Sequence, residues 1–141
     1  MTTLSCQSKF DKKIWLTHDT MKEIENPRMK MTDDLLKNHL KKGMTKAEVI
    51  KLLGKPFSEG VHYRLPEDIK IPDSVSIIQN LDKSGEEKKK VIDLYNNWHQ
   101  KHILPVNLIT YQIGWSYVDP TFLVIKLDDH DKAIDFWVES N

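Results

Sequence analysis

The sequence predicts an α+β fold, helices first and an antiparallel sheet last, on three observations. Two short segments ending at Gly43 and Gly54 carry the start and stop signals of helices. A longer segment opening at Ser84 has helical spacing of its apolar residues, and the chain from Ile109 onward alternates with period two. At 141 residues the chain has the length of one domain with one core.

Residues 7 to 31 show no sustained period and contain Asn26-Pro27, a turn signal. Segment 1–31 is therefore expected to be an extended tether that docks through Phe10, Ile14 and Trp15. The domain proper is expected over 32–141. Thr32 serves as the first N-cap, Met31 and Leu36 as a hydrophobic staple, and Asp33 and Asp34 complement the helix dipole. Leu35, Leu36 and Leu40 form the buried face, and Gly43 ends the helix.

The next helix has a job for nearly every residue. Thr45 and Glu48 stand at capping-box spacing, Met44 and Val49 at staple spacing, Gly54 supplies the stop and Pro56 prevents continuation. Val49, Ile50, Leu52 and Leu53 give it more apolar surface than so short a helix can leave in water. It must pack on something. The two helices make a tight αα-hairpin with Lys37, Lys41, Lys42, Lys46 and Lys51 mainly outside. That basic run reads first as a solvated face, with anionic lipid or nucleic acid the lesser reading.

A structured insertion is expected at about 57–107. Pro66 and Pro72 punctuate it, Ser74 to Leu81 reads as a short strand, and Ser84-Gly85-Glu86-Glu87 reads as a capping box opening a third helix. Val91, Leu94, Tyr95, Trp98 and His102 line one side of that helix. In the C-terminal third, Ile109, Tyr111, Ile113 and Trp115 alternate with Thr110, Gln112, Gly114 and Ser116, and Asp119-Pro120 enters a turn. The next strand carries Phe122 and Val124 on one face and Leu123, Ile125 and Leu127 on the other. A strand apolar on both faces belongs in the middle of a sheet. Asp128-Asp129-His130-Asp131 is a polar hairpin loop, after which Ile134, Phe136 and Val138 form an inner row and Asp135, Trp137 and Glu139 face out.

The run Leu40-Lys41-Lys42-Gly43-Met44-Thr45-Lys46-Ala47-Glu48-Val49-Ile50-Lys51-Leu52-Leu53-Gly54-Lys55-Pro56 resembles the signature of the SmpA/OmlA (BamE-like) domain. With the C-terminal strands the match covers about a third of the chain. The resemblance implies two helices followed by a three-stranded antiparallel sheet, an ααβββ layout of the BamE-like or BLIP-like kind, in small outer-membrane lipoproteins. It transfers no catalytic residue. The long connection from Phe57 to Pro105 departs from the family, whose second helix leads to the sheet through a much shorter one. The segment Cys6-Gln7-Ser8-Lys9-Phe10-Asp11-Lys12-Lys13-Ile14-Trp15 is similar to the start of many bacterial lipoproteins with this domain.

Cys6 is the one cysteine, so no disulfide within the chain and no thiolate zinc site is available. Leu4-Ser5-Cys6 resembles the end of a lipobox, yet Met1 to Ser5 is too short for the charged region and the ~7–15-residue apolar region of a signal peptide. Two readings follow. Either a signal peptide precedes this sequence and Cys6 is the lipidation site, with Gln7 compatible with outer-membrane retention, or Cys6 is an exposed thiol near the terminus.

Lys plus Arg and Asp plus Glu stand at 21 each, so no long-range field recommends a nucleic acid. Hydrophobic residues at 39% and charged residues at 30% are ordinary for a globular domain. No apolar run approaches the ~18 residues of a membrane-spanning helix. His99 and His102 lack a third ligand at suitable spacing, the 128–131 cluster lacks the glycine and terminal glutamate of a calcium loop, and the five glycines are scattered. No cofactor, metal, small-molecule substrate or catalytic residue is expected.

The functional expectation, resting on the resemblance, is a non-catalytic lipoprotein of the bacterial periplasm or outer membrane that binds a protein partner or supports assembly. An inhibitor or immunity-type protein blocking a partner enzyme or toxin is the alternative. The partner-binding candidates are Phe122, Val124 and Trp137, on the sheet face away from the two short helices. That face is either covered by the inserted helix through Leu94, Tyr95 and Trp98 or partly left for a partner.

Overall fold

In the computed structural model, which describes residues 8–18, 26–116 and 118–140, the capped helix forms as its residues dictate. It is α3, spanning Lys46–Leu53, and both arms of its capping box are made: Glu48 N donates to Thr45 Oγ1 and Thr45 N to Glu48 Oε1, each at 3.1 Å. Gly54 ends it at φ +81°, where L side chains are strained, and a Cβ there would also lie 2.5 Å from Leu16 Cδ2.

The N-terminal segment departs from the expected tether. Helix α1 spans Lys12–Thr17, capped by Asp11, and α2 spans Pro27–Asp34 with Asn26 as N-cap and Pro27 at the first helical position. Asn-Pro is thus a helix start here, since proline's missing N–H falls on a group that has no partner inside the helix. Thr32 is no N-cap; it sits within α2 and its hydroxyl donates to Arg28 O at 2.7 Å. The helix then widens into one π-turn, Leu35–His39, closed by Leu40 N donating to Leu35 O at 2.8 Å.

Four strands follow: β1 (Ser58–Arg64), β2 (Leu104–Ser116), β3 (Asp119–Leu127) and β4 (Ala133–Ser140). They form one antiparallel sheet in the order β1-β2-β3-β4. The expected three strands are therefore four, because the start of the insertion pairs as an edge strand, with Phe57 N donating to Thr110 O at 2.8 Å. Strand β3 does lie inside the sheet, between β2 and β4.

One face of the sheet carries the core. Ile109, Tyr111 and Ile113 of β2, Leu123, Ile125 and Leu127 of β3 and Ala133 of β4 pack with Trp15, Met31, Leu35, Leu40, Val49 and Leu53 of the helical side. Ten of these thirteen side chains have zero exposure, so the apolar positions read from the two periods meet on one surface. The inner row of β4 differs from expectation. A register shift opposite Lys126 and Leu127 leaves Ile134 unpaired, Ala133 takes the inner position, and Ile134 and Val138 stay 41% and 43% exposed. On the other face, the polar Thr110 and Gln112 are buried as well as the apolar Leu108 and Val124.

The segment read as a tether supplies the centre of this core. Trp15 is fully buried; its Nε1 donates to Leu53 O at 3.0 Å, and its ring meets Tyr111 edge-on with centroids 6.2 Å apart. Tyr111 donates through its hydroxyl to Gly54 O at 2.8 Å. Two carbonyls at the end of α3, which have no partner inside the helix, are thus satisfied by buried aromatic side chains. The Arg28 guanidinium stacks 4.6 Å from the Trp15 ring centroid, with Nε donating to Trp15 O and Nη1 to Gln112 O. Those three residues come from α1, α2 and β2.

The chain divides into two units, Met1–Val61 with Asn107–Asn141, and His62–Val106. The second unit contains α4 (Gly85–His102), the expected third helix. Ser84 is its N-cap by position, but its side chain makes no capping bond, so the expected capping box is not formed. The expected strand from Ser74 to Leu81 is instead a pair of 3-10 turns, Asp73–Val75 and Ile78–Asn80. Asn80 stabilises that compact form by donating through Nδ2 to Asp73 O and Ser76 O. Val75 and Val91 are buried, and Leu94 is 46% exposed.

Candidate functional site

The partner-binding candidates occupy neighbouring strands, as their alternation requires. Val124 pairs with Thr110 on one side and Trp137 on the other, and Phe122 pairs with Gln112 and Glu139. Their accessibility differs. Val124 is fully buried, Phe122 is nearly so with its ring against Phe57 at 5.1 Å, and Trp137 is half-buried with Nε1 donating to Glu139 Oε1 at 2.7 Å. Of the three, Trp137 alone offers surface. Cys6 lies outside the described residues.

On α4, Tyr95, Trp98, His99 and His102 form a half-buried row, with Trp98 and His102 stacked at 4.8 Å. His102 Nδ1 lies 2.7 Å from Trp98 O, an acceptor, so the proton sits on Nδ1 and that nitrogen is not available as a ligand. Among the described residues no three His, Cys, Asp or Glu side chains are grouped as metal ligands, and no helix is long and apolar enough to cross a membrane.

The 128–131 loop has a structural task. Asp128 Oδ1 accepts from His130 N and Lys132 N at 2.8 and 3.0 Å, and those backbone donors hold its carboxyl below the usual range. The loop also fastens the helical hairpin: Lys46 N donates to Asp131 O, Gly43 N to Ala133 O and Ala133 N to Met44 O.

A further site sits on the helical side, and of its residues only Lys51 belongs to the basic run read above. Lys12, His39, Met44, Glu48, Lys51 and Leu52 line an open groove of ≈ 390 Å³. His39 owes its place to the π-turn. Residues five apart stand about 140° apart around an α-helix, whereas the wider turn brings His39 Nε2 within 3.3 Å of Asp34 Oδ2. Asp34 is itself fixed, accepting from Phe10 N at 2.7 Å and from Asn38 Nδ2 at 2.6 Å, and these donors lower its pKa, the Phe10 amide most. The Phe10 ring packs against the imidazole at 5.0 Å. Glu48 is committed to the α3 cap, which lowers its pKa too. Lys12 and Lys51 are exposed and make no ion pair among the described residues.

Comparison with protein-family models, with curated proteins and with solved structures returned no match.

Proposed function

We propose that this chain is a non-catalytic lipoprotein of the bacterial cell envelope, held by lipid at Cys6 and acting as a protein-binding or assembly module. The observation that carries the reading is the resemblance of 40–56 to the SmpA/OmlA signature together with Leu4-Ser5-Cys6-Gln7 upstream. In support, the residues of that signature do structural work: the Thr45–Glu48 box caps α3, Gly54 ends it, and Gly43 and Met44 bond to the start of β4. On this reading α2, α3 and β2 to β4 are the BamE-like ααβββ core, to which β1 and the segment His62–Val106 are additions. Such a motif supplies a frame, and the function lies in the surfaces the frame presents.

The test is expression from the native gene with a labelled fatty-acid analogue. The protein should take up label and fractionate with membranes, because two or more acyl chains give stable anchoring where one does not. Cys6→Ser should abolish labelling and release the protein from the membrane fraction. A wild-type protein that takes up no label, or a Cys6→Ser protein that labels equally, overturns the reading.

A further inference from the structure

We propose that the groove between α1 and α3 is the docking site for an acidic, leucine-rich type of peptide segment on a protein partner, with carboxylates meeting Lys12 and Lys51 and an apolar side chain resting on Met44 and Leu52. The inference rests on the protein-binding reading above and assigns that binding to a surface.

Charge is the first argument. Among the described residues the groove's two lysines make no ion pair, while the carboxylate that lines it, Glu48, is drawn to the Thr45 amide at the helix start. An anionic group entering the groove therefore finds cations whose pairing disrupts nothing in the fold. The floor is the second argument. Met44 and Leu52 are only partly buried against the core, and a thioether floor adapts its shape to an incoming side chain. One turn along α1 from Lys12, and so on the same side of that helix, Leu16 is 42% exposed, which leaves some apolar surface there as well. Third, the wall is built in advance. His39 is pinned by Asp34 on one side and Phe10 on the other, so little side-chain freedom remains to be lost there on binding.

The openness of the groove decides the class of occupant. Small-molecule sites are concavities that enclose most of their ligand, and this groove is a trough on the surface. A strip of a few residues from another protein fits a trough. A nucleic acid would need a wider positive field than a chain of zero formal net charge provides.

The probe is a fluorescein-labelled hexapeptide of two Glu and two Leu flanked by Gly, compared with the same peptide carrying Lys for Glu, both read by fluorescence anisotropy on the full chain. The acidic peptide should bind, more weakly as salt is raised. Lys12→Glu and Lys51→Glu should each weaken it about two- to fivefold, the upper part of the range of exposed charge pairs. Leu52→Ser should also weaken it, which attraction of charge alone does not predict. Lys83→Glu, an exposed charge reversal in the other unit, should leave it unchanged. Thermal melts of all four variants confirm that they are folded. Absence of binding at millimolar protein, equal weakening by Lys83→Glu, or displacement by millimolar inorganic phosphate, the mark of a small-anion site, overturns the proposal. An envelope-anchored protein that ignores the peptide overturns the groove while sparing the lipoprotein reading. A protein that binds the peptide through Lys12 and Lys51 but carries no lipid supports the groove and overturns the anchor.

Discussion

The two units of this chain bury their side chains to very different depths. The unit formed by Met1–Val61 and Asn107–Asn141 has a core in which most side chains have no exposure at all, whereas the described residues of His62–Val106 bury only Val75 and Val91, each still touched by solvent. A segment of that length closes too little apolar surface to offset the entropy of ordering it unaided. Within it the visible devices are local: the Asn80 side chain over the 3-10 turns, the aromatic row along α4, and the helix itself. The difference teaches where substitutions should be felt.

The largest effect is expected at Trp15. Trp15→Ala removes a fully buried indole and leaves Leu53 O without its donor, and should cost about 3–5 kcal/mol in denaturant unfolding. Leu53→Ala should cost about 2–5 kcal/mol, against under about 0.5 kcal/mol for Lys51→Ala one turn-face away. Equal midpoints for these last two would break the comparison at its root.

An alkaline titration sharpens it. Burial pushes the Tyr111 hydroxyl well above its ordinary value, with Glu59 adding and Arg28 opposing, and ionisation would also remove its bond to Gly54 O. A folded-state pKa above the unfolded one means that the stabilisation is complete below about pH 10 and declines as pH rises past it, because the unfolded chain releases a proton that the folded one retains. The slope is about 1.4 kcal/mol per pH unit. Tyr111→Phe should be less stable at neutral pH by about 1 kcal/mol through the lost hydrogen bond, and should lack that part of the alkaline decline. Parallel curves for the two proteins would place Tyr111 outside the core.

The smallest effects belong to the second unit. Val91→Ala should cost about 1–2 kcal/mol, and Leu94→Ala, at 46% exposure, under about 0.5 kcal/mol. A Leu94→Ala loss as large as that of Leu53→Ala would abolish the distinction between the units.

The sequence was most legible where one residue decides one local event. Thr45 with Glu48, Gly54, the loop at 128–131 and the two-faced pattern of β3 each announce a feature that short-range chemistry enforces. The helix over Gly85–His102 follows from its period, although its start does not use the Ser84 hydroxyl. Less could be read before Gly43. Asn26-Pro27 signals a turn and a helix start equally well, and the choice depends on partners for α2 that lie far along the chain. Trp15 could be named as a docking residue, but its hydrogen bond to a carbonyl at the far end of α3 leaves no mark in the spacing around it, and Ile14, named with it, stays 42% exposed. Strand β1 offers only Val61 and Tyr63 as alternation, both more than 60% exposed, and its start meets β2 through Phe57 N and the Ser58 hydroxyl, both at Thr110. As for the candidate site, Lys51 belongs to the basic run named from the sequence, but Lys12 lies outside that run and the π-turn that adds His39 leaves no periodic trace.

The bonds joining Gly43 and Met44 to Ala133, and Arg28 to Gln112 across 84 positions, also set a clock. Neither the helical hairpin nor Trp15 can reach its final neighbours until β2 and then β4 exist, so core assembly waits until Ala133–Ser140 has been made. Loop closures of that span make folding slow for a chain of this size, in the range of milliseconds to seconds. During that interval the apolar faces of α2 and α3 are exposed, and a chaperone has its whole opportunity to bind them before the last strand arrives.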